Sequence, residues 1–293
     1  MSELKNRILV VINPAAGKDE PILNTINDVF TQHDIDWGVS VTRKFGDATE
    51  FARQAAEDGF DVVAGYGGDG TQHEIANGIF GTKALMGVLP GGTGNGFANE
   101  LGMPNKLRPA LELLCTEHRT RHVDVVQKDD GYFIQRLYVG IEPEEQTSRE
   151  SKDKYGTFAY AIDSFHRAKN IKEVRYRVTI DGQQYDGLAM KLYVVNAAKA
   201  GTGISITGNI SKVDDGLVDI FILDGENLKS LSGAVDRMLH LNTKSARDWM
   251  RQGKEVFIDT DPDQPVWTDG EYTGRTPVSL KVLPAALPVI VPV

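Results

Sequence analysis

A single cysteine, Cys115, stands among 293 residues, so no disulfide can form within the chain. It lies in an apolar, helix-like stretch, where a thiol reads as a packed side chain and not as a nucleophile. No run approaches the ~18 apolar residues that a membrane-spanning helix needs. The opening segment, MSELKNRILVVINPAAGK, has too short an apolar run for a signal peptide and reads as a strand. Positive charge is scarce: the net charge of −9 excludes broad attraction to nucleic acid. His33, His118, His122, His166 and His240 show no metal-ligand spacing. There is no internal repeat, and no linker rich in Gly, Ser or Pro marks a domain boundary. These absences predict a globular protein of the reducing cytoplasm with no nucleic-acid partner.

What is present is a rhythm. The apolar run 8–12 (ILVVI) has the character of a parallel strand buried on both faces. Ile22, Ile26, Val29 and Phe30 recur at helical spacing behind Pro21. WGVSVT alternates as a strand. A helix follows in GDATEFARQAAEDGF, where Asp47 reads as N-cap and Glu50 completes a capping box. Residues 60–64 and 84–89 are further strands, with a short helix at TQHEIANGIF between them. Leu107, Ala110, Leu111 and Leu114 form another helix face. Alternation of this kind predicts an open, mostly parallel α/β sheet.

Near residue 123 the pattern changes to strands joined by turns, with a strong hairpin signal at Asp181–Gly182. Helices are expected only at 157–169 and 228–241. The reading is therefore α/β over 1–123 and a C-terminal antiparallel β-rich domain over 124–283, with 284–293 returning to the first domain.

Three glycine-bearing loops, NPAAGK (13–18), GYGGDGT (65–71) and PGGTGNG (90–96), each follow a predicted parallel strand. Loops at the carboxyl ends of such strands form the ligand crevice. Successive backbone amides, together with helix N-termini behind the second and third loops, suit a phosphate chain. Lys18 is not followed by Ser or Thr, so there is no Walker loop, and no Gly-x-Gly-x-x-Gly opens the first helix. A carboxylate in the middle of the second loop, Asp69, makes sense if a divalent cation bridges it to phosphate or if it orients a polar partner.

GGDGTQHEIANGI, followed by LPGGTGNGFANELG with Thr93 24 residues beyond Asp69, resembles the diacylglycerol-kinase catalytic domain family of lipid kinases. The resemblance extends to NPAAGK, VTRKFGDATEFA (41–52), KVDDGLVDI (212–220) and TDGEYTG (268–274). It implies a nucleotide domain plus a β-sandwich with ATP in a cleft between them. Asn13, Thr42, Gly67, Gly68, Asp69, Gly70, Thr71, Gln72, His73 and Thr93 would contact ATP. Glu271 would be the catalytic base, with Asp69 near it and near the phosphates. Mg²⁺ would be held away from the chemistry by the Asp215 side chain and the carbonyls of Lys212 and Leu217. The chain departs from the family pattern at Gly96, where many relatives carry aspartate, and in the acidic segment 142–146.

Each motif also has a plain reading. WTDGEYT is a good hairpin in its own right, and KVDDGLVD is an ordinary Asp-Gly turn. Thr71 and Thr93 suit helix caps. Taken with the glycine loops, the hairpin becomes the carrier of a general base, because a hydroxyl attacking a γ-phosphate needs a proton acceptor. The stretch 149–177 holds eight Lys/Arg against four Asp/Glu, read either as a solvated helix face or as a docking surface for anionic membrane. The function expected is an ATP- and Mg²⁺-dependent lipid kinase acting on a diacylglycerol-like or sphingoid hydroxyl at a membrane surface. An NAD kinase and a non-catalytic nucleotide- or lipid-binding module are the alternatives. Monomer and homodimer both stay open.

Overall fold

The computed structural model describes residues 7–16, 20–129, 131–140, 173–197, 212–223 and 250–293. Lys18, the acidic segment 142–146, the expected helices 157–169 and 228–241, and the basic stretch as far as residue 172 lie outside the described residues. The chain divides into two compact units, 1–123 with 285–293, and 124–284.

The first unit is a parallel sheet between two helical layers. Strands β1 (Arg7–Ile12), β2 (Asp36–Val41), β3 (Val62–Gly67) and β4 (Leu85–Pro90) lie in the order β2-β1-β3-β4, every neighbouring pair parallel. The end of the last strand, β16 (Val278–Val291), joins them alongside β4, with Val289 opposite Met86, and β5 (Arg119–Lys128) pairs with β16 and with the short β6 (Gly131–Phe133). Helices α1 (Ile22–Gln32) and α5 (Leu107–Cys115) pack on each other. Their buried stripes, Ile26, Val29, Phe30, Leu107, Ala110, Leu111 and Leu114, meet Ile8, Val10, Val62, Ala64 and Tyr66. On the other face, α2 (Asp47–Glu57) packs on α3 (Asp69–Ile79), and α3 lies against β3.

Two expectations need correction. The sequence reading ended β3 at residue 64, but the strand runs on through Gly65 to Gly67. Helix α3 lies so close that a Cβ on Gly65 would sit 2.4 Å from Ile75, and one on Gly67 2.3 Å from the Thr71 hydroxyl. The glycines therefore extend the strand before they make a loop. At α2 the N-cap is Gly46, left-handed at φ 90°, and not Asp47, which is the first helical residue. The cap comes from elsewhere: Oε2 of Glu74, on α3, accepts the amides of Gly46 (2.8 Å) and Ala48 (3.1 Å). Burial is the main cause holding the Glu74 carboxyl above its ordinary value, against those amide bonds. Cys115 closes α5 half-buried, its thiol donating to the Leu111 carbonyl at 3.3 Å.

The second unit is antiparallel throughout its described strands. Strands β7 (Arg136–Val139), β10 (Lys191–Val195), β11 (Val218–Leu223), β12 (Met250–Gly253), β14 (Pro265–Thr268) and β15 (Glu271–Arg275) form one sheet in the order β12-β11-β10-β7-β14-β15. The start of β16 pairs with β13 (Glu255–Asp261), then β8 (Val174–Ile180) and β9 (Gln183–Ala189). Alternate residues of both layers meet in one core: Leu137, Val139, Leu192, Val194, Ile220 and Val266 from the first, and Val178, Ile180, Val256, Ile258, Val278 and Leu280 from the second. That is sandwich packing. The Asp181–Gly182 turn joins β8 to β9 with both residues at positive φ (47° and 84°), the backbone a two-residue hairpin requires. Strand β13 escaped the sequence reading although EVFIDTD alternates exposed and buried along most of its length. Among the described residues no helix is long and apolar enough to cross a membrane.

Candidate functional site

The three glycine-bearing loops leave β1, β3 and β4 at the same end, because those strands are adjacent and parallel. They are bolted to one another. In the first, the Asn13 amide donates to the Tyr66 carbonyl (2.9 Å), and its side-chain Nδ2 donates to the Thr71 hydroxyl (3.1 Å). Between the second and third, the Gly91 amide donates to the Gly67 carbonyl (3.0 Å), and a Cβ on Gly92 would lie 2.5 Å from the Gly68 Cα. Gly92 is thus required by contact between loops. Gly70 differs: a Cβ there would meet no heavy atom of the described residues within 4 Å, so none of them demands glycine at this second position of α3.

Asp69 has backbone partners. Its Oδ2 accepts the Gly96 amide and its Oδ1 the Phe97 amide, each at 3.0 Å, across 27 and 28 residues. These amides open α4 (Gly96–Leu101), so the carboxylate of the second loop caps the helix that follows the third. Of the two roles expected for this carboxylate, orienting a polar partner has its atoms in place. The third loop is also fastened internally. Asn95, left-handed at φ 50°, accepts the Gly92 amide at Oδ1 (3.0 Å) and donates to the Gly92 carbonyl from Nδ2 (2.6 Å). Thr93 stands exposed between them.

The remaining expected ATP contacts divide. Thr42 is buried at the end of β2, its amide donating to the Ile12 carbonyl at 2.9 Å. The turn after it is held by Asp47, whose Oδ2 accepts the amides of Arg43 (2.7 Å) and Lys44 (3.1 Å). Gln72 turns inward: its Nε2 donates to the Gly65 carbonyl (2.9 Å), and its amide to the Gly68 carbonyl (3.2 Å). Its side chain therefore serves the sheet. The Asn77 side chain donates to the His73 carbonyl at 2.9 Å, and the His73 ring lies 3.4 Å from the same Asn77 nitrogen.

In the second unit, Glu271 opens β15 and is exposed. It follows a tight turn, Asp269–Gly270, with φ values of 49° and 99°. Asp269 does more than turn the chain. Its carboxylate accepts the amides of Ile134 (3.0 Å), Gln135 (3.1 Å) and Arg136 (2.8 Å), and its own amide donates to the Arg136 carbonyl (2.9 Å). From there a buried chain of bonds leads on. Asn196 Nδ2 donates to the carbonyls of Ile134 (2.8 Å) and Asp124 (3.0 Å), and the Asp124 carboxylate accepts the Gly216 amide at 2.6 Å. The turn bearing the expected base and the turn bearing the expected metal ligands are thereby linked inside one unit.

At that second turn, Asp215 Oδ1 accepts the Leu217 amide at 3.1 Å, and Lys212 is exposed. The Asp215 carboxyl, exposed at its edge, is raised above its ordinary value by partial loss of solvation and by neighbouring Asp124. Among the described residues no three His, Cys, Asp or Glu side chains converge on one point. One carboxylate with main-chain carbonyls and water is the hard-oxygen set that Mg²⁺ accepts, so the residues fit that ion.

Beside Glu271, an aromatic row crosses four strands. Tyr193, Tyr138, Trp267 and Tyr272 are successive cross-strand partners on β10, β7, β14 and β15, with ring centroids 6.1, 5.9 and 5.5 Å apart. The Lys191 ammonium lies 4.5 Å from the Tyr138 ring centre.

Residues 7–128 match the diacylglycerol kinase catalytic domain, and residues 136–291 match the YegS C-terminal NAD kinase beta sandwich-like domain. The chain carries a diacylglycerol kinase catalytic domain followed by a YegS C-terminal domain. Curated relatives named diacylglycerol kinase include one from Staphylococcus saprophyticus, 29% identical over 94% of this chain and 92% of that protein. Another, from Staphylococcus aureus, is 29% identical over 99% and 93%. A crystal structure of a putative diacylglycerol kinase from Bacillus anthracis superposes with a TM-score of 0.86 at 27% identity, over 99% of this chain and 97% of that one.

Within this kinase family chain, several working residues carried no readable signal. Glu74, Asp124 and Asn196 act on backbone groups far away in sequence, and nothing in their neighbourhoods announces it. Asn95 was legible in part: an asparagine among glycines tolerates the left-handed conformation.

Proposed function

We propose that this protein is an ATP- and Mg²⁺-dependent lipid kinase that phosphorylates the hydroxyl of a diacylglycerol-like or sphingoid lipid. The observation that carries the reading is that three glycine-bearing loops are locked together at the carboxyl edge of a parallel sheet, where α3 begins and a Cβ on Gly70 would meet no described residue within 4 Å. Backbone amides and the helix dipole there favour a phosphate chain. Asn13, Thr42, Gly67, Gly68, Gly70, Thr71, His73 and Thr93 line or support that seat. Gln72 supports it from beneath, and Asp69 keeps the third loop in register with the second.

Transfer is an in-line displacement. The lipid hydroxyl oxygen bonds to the γ-phosphorus, the bond to the β,γ-bridging oxygen breaks, and ADP leaves. The hydroxyl proton passes to the carboxylate of Glu271, which is exposed and held on a rigid turn by Asp269. Mg²⁺, when bound, supplies positive charge to the phosphates. A second ion at Asp215 with the carbonyls of Lys212 and Leu217 would stiffen the second unit.

The likeness of residues 136–291 to an NAD kinase sandwich favours a second reading, phosphorylation of NAD. One assay separates the two: purified protein, labelled ATP, and a panel of diacylglycerols, sphingoid bases, ceramides, phosphatidylglycerol and NAD. Label in a lipid is the expected result. Label only in NAD supports the second reading, and ATP binding without label in any acceptor means a binding module without turnover.

A further inference from the structure

We propose, on the reading that nucleotide phosphates lie at the start of α3, that Phe45 is the platform on which the base of that nucleotide stacks. The turn after β2 then reads the nucleoside while α3 holds the phosphates.

That turn leaves β2 at the same edge of the sheet as the ends of β1 and β3, because the three strands are parallel. In the order β2-β1-β3, two strand spacings, about 10 Å, separate it from the end of β3. A nucleoside reaching sideways from its phosphates covers such a distance. Thr42 opens the turn, its amide donating to the Ile12 carbonyl of β1 at 2.9 Å.

Phe45 is 65% exposed there. A phenylalanine left in water forgoes the burial that would stabilise the fold, yet single exposed apolar residues are ordinary on a surface. What sets this one apart is how firmly its backbone is held. On one side, Asp47 Oδ2 accepts the amides of Arg43 (2.7 Å) and Lys44 (3.1 Å). On the other, the Gly46 amide donates to Glu74 Oε2 at 2.8 Å, and Gly46 takes the left-handed φ of 90°. The Thr49 hydroxyl adds a bond to the Glu74 carbonyl at 3.0 Å. Glu74 lies four residues past Gly70, about 6 Å along α3. The turn is thus pinned to the helix whose start is the phosphate seat. With the peptide groups on both sides fixed, only the side-chain torsions of Phe45 remain to be ordered when a base arrives.

A phenyl ring has no hydrogen-bonding group, so it takes a base by its face and gains most from the larger purines. Arg43 and Lys44 are exposed beside it. A tip of two cations and one aromatic ring also suits an anionic membrane, but its rigid tie to α3 favours the nucleotide.

The test uses the full chain with Phe45→Ala and Phe45→Tyr. Calorimetry measures ATP, CTP and tripolyphosphate, each with Mg²⁺. Kinetics gives KM for ATP and kcat with the best acceptor, and sedimentation measures binding to phosphatidylglycerol vesicles. The unaltered protein should bind ATP more tightly than CTP or tripolyphosphate. Phe45→Ala should weaken ATP about 5- to 150-fold, the range of one base stack, and raise its KM alike, with tripolyphosphate affinity and kcat within about twofold. Phe45→Tyr keeps a ring and should bind ATP within about threefold of the original. If Phe45→Ala binds ATP within about twofold of the original, the base does not stack there, whatever becomes of the phosphate seat. Loss of vesicle binding in that same variant would assign the tip to a membrane instead. Equal losses for ATP and tripolyphosphate would also overturn the stack, since a distorted turn would be their cause. If the unaltered protein binds neither ATP nor tripolyphosphate, the nucleotide reading itself is wrong and the stack falls with it.

Discussion

Gly70→Ala separates the needs of the fold from those of a ligand. At Gly67 or Gly92 any side chain strikes protein, so a damaged variant says nothing about binding. At Gly70 a Cβ meets none of the described residues within 4 Å, its φ is outside the left-handed region, and the residue is the second of an 11-residue helix. Alanine there restricts the unfolded chain and suits the helix, which should add about 0.4–1 kcal/mol of stability. For a chain of this size that raises Tm by about 1–4 °C. A phosphate oxygen packed over the Gly70 Cα would lie within the about 3.5 Å that a methyl carbon needs, so a phosphate held closely against this helix end must withdraw. Losing one charge-assisted amide bond costs about 1.5–3 kcal/mol, or about 10- to 150-fold in Kd. The expected variant is therefore more stable and binds ATP worse, read by calorimetry and a thermal melt on one preparation. A variant that melts higher and binds ATP within twofold of the original would show that phosphate does not sit at the start of α3. One that melts lower would show that the space is not open.

Three further outcomes are expected. Asp69→Asn places an NH₂ group against one of the two amides that open α4, so it should lower stability by about 1–3 kcal/mol and sharply reduce transfer; near-normal turnover would remove Asp69 from the working site. Glu271→Gln should cut kcat by about 10²–10⁴-fold with ATP affinity nearly unchanged, whereas Asp269→Asn, which disturbs three amide bonds, should lower Tm as well as kcat; full kcat in Glu271→Gln would sink the general-base role. Burial lifts the Cys115 thiol to about 11 from an ordinary 9.0, so at pH 8 its thiolate fraction is about a hundredfold below that of the unfolded chain; iodoacetamide should label native protein slowly and unfolded protein fast, and equal rates would refute the burial.

Much of the fold was legible because it is written over short distances. Helices α1 and α5 were announced by apolar residues at helical spacing, and the same residues are buried in the structure, Ile22 only partly. The hairpins at Asp181–Gly182 and Asp269–Gly270 follow from a dipeptide that accepts positive φ. The failures share a cause. The cap of α2 was assigned to Asp47 because a local capping box was available, but Asp47 holds the amides of Arg43 and Lys44 while Glu74 caps the helix from 26 residues away. Strand β3 was ended early because glycines read as loop until the neighbouring helix is known.

The sequence by itself determined the periodicities, the turn conformations, and the presence of three glycine-bearing loops behind parallel strands. It also determined which residue types would be available there: one carboxylate in the second loop, one asparagine in the third, a tyrosine among the glycines. Only the tertiary structure decided their partners. Asp69 meets the start of α4, Tyr66 meets Glu20, and Asp269 meets three amides more than 130 residues earlier. Turn and helix preferences arise from sterics within a few residues, so they can be read locally. A buried carboxylate or hydroxyl takes whichever donor or acceptor packing brings within about 3 Å, and that depends on how whole strands and helices stack.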